Sequence, residues 1–122
     1  MSLWTINFAV ATNEDWNDPM SLVTNPGESD EAPYDLTGSS FSMQLRNVAE
    51  SLRVVLDLST DNGRIIIADP ETEGNLSIFV PKAVIDDIGP GLYVHDIVWT
   101  RGDGAIVNLA AGTVTFTLGI TR

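Results

Sequence analysis

The sequence predicts an all-β protein: a two-layer antiparallel β-sandwich, immunoglobulin-like or related, with seven or eight short strands and at most one helical turn. Three observations lead there. Apolar residues recur with period two, as in Thr113-Val-Thr-Phe-Thr-Leu118, where threonines line one face and Val114, Phe116 and Leu118 the other. Tight-turn signals such as Asp61-Asn-Gly63 and Asp103-Gly104 recur about every ten residues. No helical period is long enough for crossover connections, which argues against a parallel sheet. Two layers are required because the strands carry more apolar residues than one face could bury.

Residues 1–3 read as an expression leader, so the first element starts at Trp4. Trp4, Ile6, Phe8 and Val10 alternate with Thr5, Asn7 and Ala9, which predicts a strand over 4–10. From 11 to 35 the pattern fails: Pro and Gly punctuate a segment with seven carboxylates and no basic residue. A loop of that length is unusual in a compact domain. It is either a functional protrusion or partly a strand, with Met20-Ser-Leu-Val-Thr24 as a candidate short edge strand. Alternation returns in Phe41-Ser-Met-Gln-Leu-Arg46, and a polar connector follows at 47–51. Leu52, Val54, Leu56 and Leu58 predict a strand over 52–59. The Asp61-Asn-Gly63 turn then folds it into a hairpin with Arg64-Ile-Ile-Ile-Ala68. A turn at 69–74 precedes the strand Asn75–Pro81, and Lys82–Ile88 is expected to form one helical turn. Three antiparallel strands close the chain, over 91–99, 105–109 and 112–120. Asp103-Gly104 supplies the positive φ that the first of their turns needs.

The 122 residues make one domain over 1–122, long enough for a single core. Hydrophobic content is 43% and mean hydropathy +0.10, values of a folded globular chain. Six Lys and Arg against 17 Asp and Glu give a formal charge of −11. That field repels phosphate backbones and anionic membrane surfaces, so neither nucleic acid nor membrane is an expected partner. Partners compatible with it are cations, neutral glycans or another protein. Cysteine is absent, which excludes thiolate zinc sites and cysteine catalysis and favours a cytosolic origin or a robust bacterial or viral β-fold. No apolar run reaches the roughly 18 residues of a membrane span, and no signal-peptide pattern opens the chain.

Groups capable of chemistry are scattered. His95, the one histidine, lies mid-strand with no nucleophile-elbow serine in the chain, and reads as a satisfied sheet residue. A glycosidase pair of carboxylates must be held in a cleft, which a small sandwich lacks unless long loops build it. Asp61, Asp69–Glu73 and Asp86-Asp87 depart from the spacing that converges oxygens on calcium. No catalytic residue, metal or cofactor is therefore expected, and no enzyme activity. Asp96 shares its strand face with Leu92, Val94 and Val98, so it is expected to point inward and to need a partner, for which Arg46 is the candidate. Trp4 and Trp99 occupy apolar strand positions and read as core. Trp16 stands in the acidic loop, either as a ring that stacks on a sugar or as a residue that pins the loop to the sandwich.

Three pieces carry a family resemblance: Pro33-Tyr-Asp-Leu-Thr-Gly38 leading into Phe41–Arg46; Val55-Leu-Asp-Leu-Ser59 leading into Asn62-Gly-Arg-Ile-Ile-Ile67; and Gly91-Leu-Tyr-Val-His-Asp96 followed by Asp103-Gly104 and Gly112-Thr-Val. Their order over about residues 33–122 resembles small β-sandwich proteins of tailed bacteriophage and prophage tail or baseplate regions, similar to the N-terminal domain of baseplate upper proteins. The first 32 residues match only loosely, and the acidic loop is a departure. The resemblance implies a virion-associated structural protein, an assembly or adaptor module acting by protein–protein contacts. Its partners would be other phage tail proteins and further copies of itself. Its location would be the virion tail, and the cytoplasm of the bacterial host before assembly. The alternative from the residues is a carbohydrate-binding sandwich for host or glycan recognition, with Trp16 as its contact.

Overall fold

Two long strands, β10 (Gly91–Thr100) and β11 (Ile106–Thr117), form the spine of the larger layer. They are joined by the expected hairpin: Gly104 adopts φ +91°, its N–H donates to Arg101 O, and Arg101 N–H donates to Ala105 O. The computed structural model describes residues 4–24, 27–29 and 31–121. Residues 1–3, expected as a leader, and the Asn25, Pro26 and Asp30 positions of the expected acidic loop lie outside the described residues.

Before β10 come nine strands and a helix: β1 (Trp4–Thr5), β2 (Phe8–Ala11), β3 (Trp16–Ser21), β4 (Val23–Thr24), β5 (Ala32–Pro33), β6 (Ser40–Arg46), β7 (Leu56–Ser59), β8 (Ile65–Ile67), β9 (Asn75–Val80) and α1 (Lys82–Ile88). The larger sheet runs β1–β11–β10–β6–β7, with β2 also on the outer side of β11. The smaller runs β3–β9–β8, and β4–β5 form a two-stranded ribbon. The predicted two-layer β-sandwich is thus the observed architecture. Its interior receives Phe41, Met43 and Leu45 from β6, Ile97 and Trp99 from β10 and Val114 and Phe116 from β11. These meet Trp16, Ile65, Leu76, Ile78 and Val80 from the smaller sheet, all buried in one cluster. Trp16 joins the layers directly, with its ring centroid 5.4 Å from Phe8 and 6.0 Å from Phe116, edge-on to both.

Several expectations are corrected, each for a local reason. The strand over 4–10 divides into β1 and β2, and both run parallel to β11, so the sheet is mixed. At the break, Asn7 Oδ1 accepts from the backbone N–H and hydroxyl of Thr113, a side chain replacing a backbone rung. Facing the break is Gly112, where a Cβ would lie 2.1 Å from Ile6 O and 2.7 Å from Asn7 Oδ1. Gly112 therefore marks a close approach of two chains. The strands expected over 105–109 and 112–120 are one continuous β11, with a register shift opposite Ile97 and Val98 where Leu109 and Ala110 are both buried. It ends at Thr117, leaving Leu118 exposed rather than inward.

The strand over 52–59 shortens to β7, because Arg46 Nη1 draws in Ser51 O at 2.6 Å and holds the preceding residues as a loop. Leu52 is consequently 96% exposed. Asp61-Asn-Gly63 turns as expected but makes no hairpin: β7 pairs with β6, β8 pairs with β9, and the turn carries the chain between layers. The segment 11–35 is in part strand, as β3, β4 and β5, with β3 beginning before the expected 20–24 strand. Lys82–Ile88 is a seven-residue helix instead of one turn. Asp15 Oδ1 accepts from the Lys82 N–H at 2.7 Å, a cap supplied from 67 residues away. A short 3-10 turn at Glu71–Glu73 adds to the helical content beyond the single turn expected.

Candidate functional site

On the outward face of the larger sheet, the small side chains Ala49, Ala111 and Gly112 leave a hollow of about 400 Å³. It is rimmed by Gln44, Arg46, Val94, Asp96 and Asn108. β6 and β10 position this rim, since Asp96 lies opposite Gln44 and Val94 opposite Arg46 in their antiparallel register. Asp96 is exposed on this outer face, so the expectation that it points inward is corrected: Tyr93, His95, Ile97 and Trp99 are the inward set of β10. The alternation of β10 is satisfied by either parity, and aromatic rings on the odd positions decide it. Arg46 does not bond to Asp96. Its Nη1 and Nη2 donate to Ser51 O and Gln44 Oε1, at 2.6 and 2.8 Å, while Asp96 Oδ2 accepts from Asn108 Nδ2 at 3.1 Å. The pair shares a hollow but serves two separate networks, and a solvated Asp96 needs no cation.

Beneath that face His95 is buried, 5% exposed. Its Nε2 lies 2.8 Å from Ile6 O, a group that only accepts, so Nε2 carries the proton and Nδ1 is the bare nitrogen. Nδ1 has no hydrogen-bond partner, and the ring packs 5.3 Å from Phe8. Burial holds the His95 pKa below its usual value, outweighing the Ile6 hydrogen bond and the nearby Asp96 carboxylate, both of which favour the cation. A neutral imidazole tying β10 to the β1–β2 connection is a scaffold contact. Among the described residues no serine, threonine or carboxylate hydrogen bonds to Nδ1.

A second hollow, also about 400 Å³, lies at the end of the sandwich between Tyr34, Asp35, Thr37 and the hairpin residues Arg101–Asp103. The Arg101 guanidinium lies 4.5 Å from the Trp99 ring centroid, and Trp99 stacks in turn on Phe41. Asp35 accepts from the Thr37 N–H and hydroxyl, at 3.0 and 2.6 Å, and these bonds hold its carboxyl below the usual value. Asp35 and Thr37 thus form a self-contained turn at the rim of this hollow, whereas the buried Arg101 Nε has no hydrogen-bond partner among the described residues.

Trp16 is 1% exposed, with Nε1 donating to Asp18 Oδ2 at 2.8 Å. It pins its segment to the sandwich, and its ring faces are covered by Phe8 and Phe116 instead of being open to a sugar. Of the two readings of Trp16, the residue that pins its loop is the one observed, and the alternative of a ring stacking on a sugar does not fit its burial. Trp99 is core as expected, whereas Trp4 is only half-buried. Among the described residues, no three His, Cys, Asp or Glu side chains gather closely enough to hold a metal ion. Among the same residues no helix is long and apolar enough to cross a membrane.

What sequence reasoning missed is the outside. Large apolar side chains stand exposed at Leu52 (96%), Ile106 (72%) and Leu92 (63%), and Ile66 and Phe79 share the outer face of the smaller sheet. The isoleucine run at 65–67 is legible as a strand, but which member faces water depends on the partner sheet.

No family model matches the chain, and no curated protein matches it. Among solved structures it is similar to Drosophila OTK, extracellular domains 3-5, at 12% identity and a TM-score of 0.31. The match covers 90% of this chain and 32% of that one, so the chain spans about a third of that structure's length.

Proposed function

We propose that this chain is a structural module of a phage or prophage tail or baseplate, working by protein–protein contacts. The observation that carries this reading is the distribution of apolar side chains. The interior is filled by one cluster, yet Leu52, Ile106 and Leu92 remain on the outside, where a second protein surface would cover them. The resemblance of residues 33–122 to tail-region sandwiches points the same way. So does the −11 charge, which keeps such a surface soluble until assembly.

The test is made on tail particles purified from the source bacterium after prophage induction, probed with antibody to this chain, alongside light scattering of the isolated protein. A tail-associated signal and a defined oligomer are expected. A chain absent from particles and monomeric at all concentrations would overturn the reading.

A further inference from the structure

One amide side chain closes the free edge of the larger sheet at β7. Thr60 N–H donates to Phe41 O of β6, which by antiparallel alternation turns the backbone groups of Asp57 and Ser59 off the sheet. Asn62, in the following turn, takes both. Its Oδ1 accepts from the N–H of Ser59 and of Arg64, at 3.0 Å each, and its Nδ2 donates to Asp57 O at 2.9 Å. Arg64 Nη1 adds a second donor to Asp57 O.

The same side chain is the one asparagine of the sequence that precedes a glycine. Asn62 and Gly63 are both exposed. Gly63 adopts φ +78° with open space where a Cβ would stand, so no side chain screens its nitrogen from the Asn62 amide or resists backbone rotation toward it. The two N–H groups that hold Oδ1 stand where negative charge develops when a nucleophile adds to the amide carbon, at the spacing of an oxyanion hole.

We infer that Asn62–Gly63 is a self-modifying site whose conversion unlocks the outer edge of β7. The Gly63 nitrogen gives up its proton to solvent and attacks Asn62 Cγ, and the new N–Cγ bond closes a five-membered succinimide. The Cγ–Nδ2 bond breaks, and the amide nitrogen takes a proton from solvent and leaves as ammonia. Water then opens the ring at either of its carbonyls, giving aspartate or an isoaspartyl linkage at position 62. Nothing is oxidised or reduced, and water is the one co-reactant. Neither product has an amide to donate to Asp57 O, and both add a negative charge next to Asp61. The isoaspartyl product also lengthens the backbone of the turn and carries the acceptor away from Ser59 and Arg64. Because ammonia is lost, the edge opens once and stays open. This chemistry goes beyond the assembly reading and does not depend on it.

The full chain is incubated at 37 °C and pH 8 beside a synthetic peptide of the sequence Val54–Arg64, the fragment that trypsin releases and in which Asn62 is the sole asparagine. Mass spectrometry should show the fragment gaining the mass of water less ammonia, with solvent oxygen incorporated from oxygen-18 water. The rate in the folded chain should lie within about tenfold of that in the peptide. In the converted chain, separated by its added negative charge, amide exchange at Ser59 and Arg64 should be at least about tenfold faster than in the parent. A fragment still unconverted when the peptide has turned over completely would overturn the inference. So would conversion that proceeds only in proportion to the unfolded fraction in urea, or unchanged exchange at Ser59 and Arg64 after conversion. None of these results bears on whether the chain is found in tail particles, which tests the assembly reading separately.

Discussion

His95 and Gly112 sit opposite each other in the β10–β11 register, and both serve one junction, the approach of Ile6 and Asn7 to the sheet. His95 must be neutral to be buried there. Its folded pKa lies below the 6.5 of an unperturbed histidine, so the unfolded chain takes up the proton first as pH falls. The stabilisation is then complete above pH 6.5 and is lost as pH drops from 6.5 through the lower folded value. Urea unfolding at pH 7.5, 6.5 and 5.5 should show the midpoint falling over the lower half of that range. In His95→Phe the curve should be flatter, starting about 1 kcal/mol lower at pH 7.5 for the lost bond to Ile6 O. The lowered Asp35 carboxyl adds its own loss only as pH falls below the ordinary 3.8, outside this window. Gly112→Ala tests the same junction sterically. Its Cβ would meet backbone oxygen, which cannot rotate away, so the β1–β2 connection must lift from β11. A loss of about 2 kcal/mol or more by denaturant unfolding is expected, with the largest amide shifts at Ile6, Asn7 and Thr113.

Elements were legible where one residue type had only one place to go. The alternation in β6 and the 113–116 part of β11, and the Asp103-Gly104 hairpin, follow from local rules that the fold leaves intact. Elsewhere distant groups overrode equally good local patterns. Leu52 and Val54 alternate like a strand, but Arg46 takes Ser51 O and bends the segment out. Asp61-Asn-Gly63 has hairpin chemistry, yet Asn62 uses its amide to close the edge of β7 that a hairpin partner would have occupied. Trp16 among acidic neighbours reads equally as a sugar contact or as a pin for its loop, and the facing rings of Phe8 and Phe116 decide for the pin. Asp96 was misplaced for a matching reason: both faces of β10 read as apolar, and the packing of Trp99 and Tyr93 chooses between them. Asn62→Ala makes the edge function measurable. Removing the amide strips Ser59 and Arg64 N–H of their acceptor and Asp57 O of a donor, at a cost of about 1–2 kcal/mol. It also uncovers the outer edge of β7, so concentration-dependent aggregation should rise in light scattering beyond what equal destabilisation by a core variant produces.

At the scale of the whole molecule, a cluster of aliphatic and aromatic side chains closes the interior while the surface carries −11 formal charge and isolated large apolar groups. These two features oppose each other. The charge repels other copies at low ionic strength, and the apolar side chains favour contact once that repulsion is screened or a partner of opposite charge supplies the match. Leu52 and Ile106 isolate the second feature, since at 96% and 72% exposure they contribute almost nothing to the interior. Replacing both by serine should leave the denaturation midpoint within about 0.5 kcal/mol of the parent. If contacts between protein surfaces are what the chain is for, the same variant should lose incorporation into tail particles or the oligomer seen by light scattering. A core variant of matched stability would not share that loss. A Leu52→Ser, Ile106→Ser protein that assembles normally would take the contact surface away from these two residues and leave Leu92, and Ile66 with Phe79 on the outer face of the smaller sheet, as the exposed apolar groups to replace next.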